Sequence, residues 1–191
     1  KVSFTGSVAT GRKVAVACAE QLIPCTLELG GKDAMIVCDD VNLDTAAAGA
    51  VAGAFMNTGQ YCCGTERVYV VEAVAEAFTE KVVERVSQLR QGSEGEFDVG
   101  AIFWPEQLEI IESHMQDARD RGASVMAGGR RNPDLPGLFY EPTVDDLGAI
   151  FVLATCFASH VALPFLGGAA ALTAALALAG RRKLADMRVF A

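Results

Sequence analysis

None of the six cysteines forms a CxxC pair, and no excess of Lys or Arg offers a face for nucleic acid. The formal net charge is −8 and the pI is near 4.8, so backbone phosphates would be repelled and no nucleic-acid partner is expected. Cys18, Cys25, Cys38, Cys62, Cys63 and Cys156 lie mostly in apolar runs, where each reads first as a small buried hydrophobe. No metal site is expected. No secretory pattern opens the sequence, which makes a reducing cytoplasm the expected compartment. A chain opening on Lys1, straight into a strand, is expected to be truncated. Charge itself is missing from residues 147–180, which contain no Asp, Glu, Lys or Arg. Before that stretch, residues 1–146 carry 12 basic and 23 acidic side chains, so a boundary is placed near Asp146.

Hydrophobic residues make up 51% of the chain, enough for a packed core. Nineteen glycines against six prolines point to many tight turns. Short apolar strands alternate with amphipathic helices. Val2-Ser3-Phe4 ends a strand, and Gly6-Ser7 turns into a helix with Ser7 as a cap. Val14, Ala15, Cys18 and Leu22 recur at helical spacing until Pro24. Strands follow at 25–29, 34–38, 67–71 and 124–126. Helical stripes run through Leu43–Phe55, through Val71–Leu89, and from Pro105 through Leu108, Ile111, Met115 and Ala118. This alternation predicts an α/β fold with a largely parallel sheet flanked by helices.

Three segments could carry chemistry. Phe4-Thr5-Gly6-Ser7, with Gly11, is a glycine turn into a helix whose N–H groups could meet a phosphate. It is neither a Walker A loop nor GxGxxG, and an ordinary strand-turn-helix reads it equally well. Leu27-Glu28-Leu29-Gly30-Gly31-Lys32 puts a carboxylate in an apolar strand. Desolvation there would raise its pKa and poise it as a general base, whereas a wet strand face would leave it a surface Glu. Phe55 to Gly64 puts Cys62 and Cys63 in a glycine-bounded loop just past a helix. A thiolate there would be a nucleophile, and the other reading is a pair of buried structural cysteines.

In this order and spacing the three segments resemble the aldehyde dehydrogenase family. Residues 27–32 match its glutamate signature, apolar-Glu-Leu-Gly-Gly-Lys, and Phe55 to Cys62 matches aromatic-x-x-x-Gly-Gln-x-Cys. Their 34-residue separation is typical of the family, Gly6-Ser7 looks like its cofactor turn, and residues 98–101 and 128–143 resemble downstream segments. The resemblance covers roughly residues 1–145. It implies a partial aldehyde dehydrogenase-like fold, with 1–30 ending an NAD(P)-binding Rossmann-like domain, 31–146 forming a catalytic thiol domain and 147–191 a divergent apolar tail. It also implies NAD or NADP as cofactor and an aldehyde as substrate, with homo-oligomers among full-length relatives. Cys62 would be the nucleophile, because only Cys62 completes Gly59-Gln60-x-Cys, and Glu28 the base. Gly6 and Ser7 would approach the pyrophosphate, and Leu29 and Gly30 the nicotinamide.

The tail departs from the family pattern, lacking the Glu-x-Phe-Gly-Pro segment expected after Pro142-Thr143. One reading is a membrane span at 149–169, anchored by Arg181-Arg182-Lys183, because its length is near the ~20 apolar residues that cross a bilayer. The other is a scrambled reading frame. A family member is two to three times this long, so the chain alone is expected to be inactive. A catalytically dead structural piece is the competing function.

Overall fold

The computed structural model of the chain describes residues 1–145 and 187–190, the latter in their backbone only. The elements run β1 (Val2–Thr5), α1 (Val8–Glu20), β2 (Cys25–Glu28), β3 (Asp33–Val37), α2 (Leu43–Phe55), a 3-10 turn (Met56–Gly59), β4 (Thr65–Val71), α3 (Glu72–Ser87), α4 (Pro105–Asp120), β5 (Val125–Ala127), β6 (Val144–Asp145) and β7 (Met187–Phe190). Strands and helices alternate as the α/β reading expects. The strands form three small sheets, ordered β1-β2, β3-β4-β7 and β5-β6. β1–β2 and β3–β4 are parallel, while β4–β7 and β5–β6 are antiparallel. The two readings of residues 147–180, membrane span and scrambled frame, fall outside the described residues. Among the described residues no helix is long and apolar enough to cross a membrane.

The helical stripes become the core. α2 turns Ala46, Ala47, Ala50, Val51, Ala54 and Phe55 inward, and its small side chains let α3 approach closely with Ala75, Phe78, Val82 and Val86. Both helices cover one face of the β3–β4 pair, where Val37, Val68 and Val70 are fully buried. β4 alternates strictly, burying Glu66, Val68 and Val70 while Arg67 and Tyr69 stay half-exposed, the pattern of a strand covered on one face. A second core gathers Leu108, Ile111 and Met115 of α4 against Ile102 and Tyr140.

One helical expectation is corrected. Leu22 does not extend the α1 stripe. The helix ends at Glu20, and Leu22 sits at φ +53 with 92% of its surface exposed. Ile23 N–H donates to the Cys18 carbonyl at 2.8 Å and Leu22 N–H to that of Ala19 at 3.1 Å. These paired bonds close the last turn before Pro24 has any effect, with Leu22 in the left-handed position glycine usually takes.

Candidate active site

The parallel pairing of β1 with β2 sets Thr5 opposite Glu28. One residue on, Gly6 N–H donates to the Glu28 carbonyl at 3.0 Å, so the glycine turn and the glutamate motif share one strand end. Ser7 caps α1 as its sequence predicts: its backbone is extended, and its Oγ accepts from Thr10 N–H at 3.2 Å. Gly11 is buried on α1, where a β-carbon would come within 2.7 Å of Leu29 Cδ2. The chain thus brings Gly6, Ser7, Glu28 and Leu29 together, with Gly30 exposed just beyond. No acidic residue lies in the first turn of α1, and Arg12 and Lys13 follow one turn on. A helix start with no acidic residue in its first turn could receive an anionic group.

Glu28 ends β2 with its side chain exposed. Its side chain lies on the wet face of the strand rather than in an apolar surrounding, since among the described residues the main contacts of β2 are with β1 and α1.

The cysteine loop leaves α2 through an unusual turn. Asn57, Thr58 and Gly59 have φ of +50, +61 and +68, three left-handed residues in succession. Cys62 and Cys63 follow and are both exposed, so the buried structural pair is not what forms. The Tyr61 hydroxyl donates to the Gly53 carbonyl of α2. The glutamate and cysteine motifs meet at Gly31, where a β-carbon would stand 2.7 Å from the Cys62 carbonyl oxygen and 3.0 Å from an Asp33 carboxylate oxygen. Lys32, the last residue of the glutamate motif, pairs with the buried Glu66 of β4 at 2.7 Å and offers its carbonyl to the Arg67 guanidinium.

The two thiols are not equivalent. Partial desolvation pushes the Cys63 thiol up, and the neighbouring Cys62 thiol and the Asp33 carboxylate push it further. Sequence alone assigns no role to Gly31, Asp33 or Gln60. Gln60 stood inside a motif, but its partners lie some forty residues on, beyond the reach of any local pattern. An open depression of about 380 Å³ between the C-terminal ends of α2 and α3, lined by Val51, Phe55, Leu89 and Val99, takes in the first residue of the cysteine motif but neither Cys62 nor Glu28.

A sequence profile described as the Aldehyde dehydrogenase family matches residues 1–147. The chain belongs to the aldehyde dehydrogenase family. It is 45% identical over 143 residues to a putative succinate-semialdehyde dehydrogenase [NADP(+)] of Mycolicibacterium smegmatis, covering 74% of this chain and 28% of that protein. The crystal structure of a succinate-semialdehyde dehydrogenase from Burkholderia pseudomallei aligns with a TM-score of 0.73 at 42% identity, over 76% of this chain and 30% of the other. An aldehyde dehydrogenase from Bacillus cereus, solved as its NAD+ complex, aligns with a TM-score of 0.74 at 34% identity, over 77% and 30%. The chain thus spans under a third of the aldehyde dehydrogenases it matches.

Proposed function

We propose that this chain carries the thiol chemistry of an NAD(P)-dependent aldehyde dehydrogenase, with Cys62 as nucleophile and Glu28 as base. The observation that carries the reading is the Gly31–Cys62 contact, which joins two motifs 34 residues apart, while the Gly6–Glu28 bond ties the glycine turn to the same place. The Cys62 thiolate attacks the aldehyde carbon, the carbonyl electron pair moves to oxygen, and the Cys62 backbone N–H helps hold that oxyanion. NAD or NADP supplies, when bound, the acceptor for the hydride that leaves this carbon. A thioester on Cys62 remains. Glu28 takes a proton from the water that attacks it, and the Cys62 thiolate leaves as the carboxylic acid forms.

Gly6 and Ser7, at the start of α1, would face the pyrophosphate, and Leu29 and Gly30 the nicotinamide. Residues 1–30 would end the cofactor domain and 31–146 form the thiol domain, a division supported by the separation of the β1–β2 sheet from β3–β4. The names of the Mycolicibacterium and Burkholderia relatives make succinate semialdehyde the first substrate to try, with NADP as the first cofactor. A reducing compartment suits a free thiol nucleophile, and a homo-oligomer is the expected whole enzyme. In that enzyme Cys62→Ala should abolish reduced-cofactor production. Glu28→Gln should slow hydrolysis more than acylation, so that a thioester accumulates on Cys62, visible by mass spectrometry of the quenched protein. Normal steady turnover in Glu28→Gln without that adduct would remove Glu28 from the base role.

A further inference from the structure

The turn that delivers Cys62 does not hold itself. A left-handed backbone costs a non-glycine residue about 1–2 kcal/mol, and a β-branched residue there is a true outlier. Asn57 and Thr58 both adopt it, so surrounding contacts must over-determine the turn. Those contacts come from residues 100–103. Thr58, only 4% exposed, accepts from Gly100 N–H through its hydroxyl at 3.1 Å. The Gln60 carboxamide accepts from Phe103 N–H at 2.7 Å through Oε1 and donates to the Ala101 carbonyl at 3.2 Å through Nε2. Asn57 Nδ2 donates in turn to the Gln60 carbonyl at 2.9 Å.

This arrangement calls for glutamine. Bridging an N–H and a C=O two residues apart needs one acceptor and one donor on a single planar group. Glutamate has no donor when ionised, and asparagine is one methylene shorter. The 100–103 segment is itself anchored, since Ile102 is buried in the second core and its N–H donates to the Leu138 carbonyl at 2.8 Å.

We propose that Gln60 is a positioning residue for the Cys62 thiol, clipping the nucleophile loop to the backbone at Ala101 and Phe103. The proposal rests on Cys62 being the nucleophile. The clip references the thiol to the α4 core in addition to α2, the preceding helix, to which the Tyr61 hydroxyl bonds. Nucleophiles need placement to about 0.5 Å, which a free loop on a strained turn would not supply.

The test is competitive alkylation of the full 191-residue chain with limiting iodoacetamide, read by peptide mass spectrometry at Cys62, Cys63 and buried Cys18 in wild type, Gln60→Ala and Gln60→Glu. Wild type should label Cys62 faster than Cys63. Gln60→Ala should lower that ratio by about fivefold or more, the equivalent of losing one to two net hydrogen bonds, with Cys18 still slow. Gln60→Glu, which keeps the acceptor for Phe103, should fall between. An unchanged ratio in Gln60→Ala overturns the clip. A rise at Cys18 alongside Cys62 also overturns it, because Gln60 would then serve the fold generally. A wild-type chain with no preference for Cys62 sinks the nucleophile reading, and the proposal with it.

Discussion

Gly31 lies against the backbone of Cys62 so closely that a β-carbon on residue 31 would be 2.7 Å from the Cys62 carbonyl oxygen. The second glycine of the glutamate motif is therefore required by the cysteine motif. The obstructing atom is backbone, which cannot swing aside as a side chain would.

Gly31→Ala should destabilise the chain by about 1–3 kcal/mol, the usual range for overpacking. Gly49 in α2 is the control, because a β-carbon there meets nothing within 4 Å. Gly49→Ala should stabilise by about 0.5–1 kcal/mol through backbone entropy and helix propensity. Urea midpoints should move in opposite directions for the two variants. Movement of both to higher urea would show that the loop yields freely.

Cys63 should gain reactivity when Asp33 loses its charge. Desolvation comes first among the causes that raise the Cys63 thiol, and Asp33 adds to it. Removing that negative charge lowers the thiol pKa, so Asp33→Asn should label faster at Cys63 at pH 7. The gain should shrink in high salt, since both groups are exposed. In the whole enzyme Cys63→Ala should leave most dehydrogenase turnover intact. Loss equal to that of Cys62→Ala would undo the choice between the two thiols.

Asp98 predicts an acid-sensitive turn. Its carboxylate takes the Arg90 Nε and Nη2 hydrogens at 3.0 and 3.1 Å and the Arg90 backbone N–H at 2.9 Å. The Arg90 guanidinium first, then that N–H, pull it from the ordinary 3.8 to about 2. A carboxylate whose folded pKa is depressed contributes stability above its unfolded pKa and loses it as pH falls through the folded one. The contribution should therefore be complete above about pH 4 and vanish toward pH 2. Melting temperatures measured across that range should fall more steeply for wild type than for Asp98→Asn. Parallel curves would show that the Arg90–Asp98 pair carries no linkage.

The 191-residue chain made alone should not reduce NAD or NADP with any aldehyde, succinate semialdehyde included. Positioning accounts for on the order of 7–11 kcal/mol of barrier in favourable cases. On the proposed reading, the chain's β1–β2 pair and one helix start would be a small part of a dinucleotide site. Absorbance of the reduced cofactor is the readout. Turnover that disappears in Cys62→Ala would show the short chain to be sufficient.

Much of the fold was legible because helical stripes depend on spacing alone. Ala46, Ala47, Ala50, Ala54 and Phe55 of α2, and Leu108, Ile111, Met115 and Ala118 of α4, fall on periodic apolar stripes and are all buried. Leu22 has helical spacing yet lies outside the helix, because a left-handed closing turn can be made by leucine when two backbone bonds secure it. Glu28 lay in a correctly read strand, yet its exposure depends on which neighbours β2 has, and sequence near Glu28 does not encode them.

The sequence by itself determined the family, the order of elements and the identity of the two chemical motifs, since each depends on residue types at short, fixed spacings. Only the tertiary structure decided how those motifs meet. Gly31 against the Cys62 carbonyl, Asp33 beside Cys63, and Gln60 bonded to Ala101 and Phe103 are contacts between segments that do not adjoin in sequence. They arise because parallel pairing of β3 with β4 carries the end of the glutamate motif to the end of the cysteine loop, and because the second core holds residues 100–103 where that loop can bond to them.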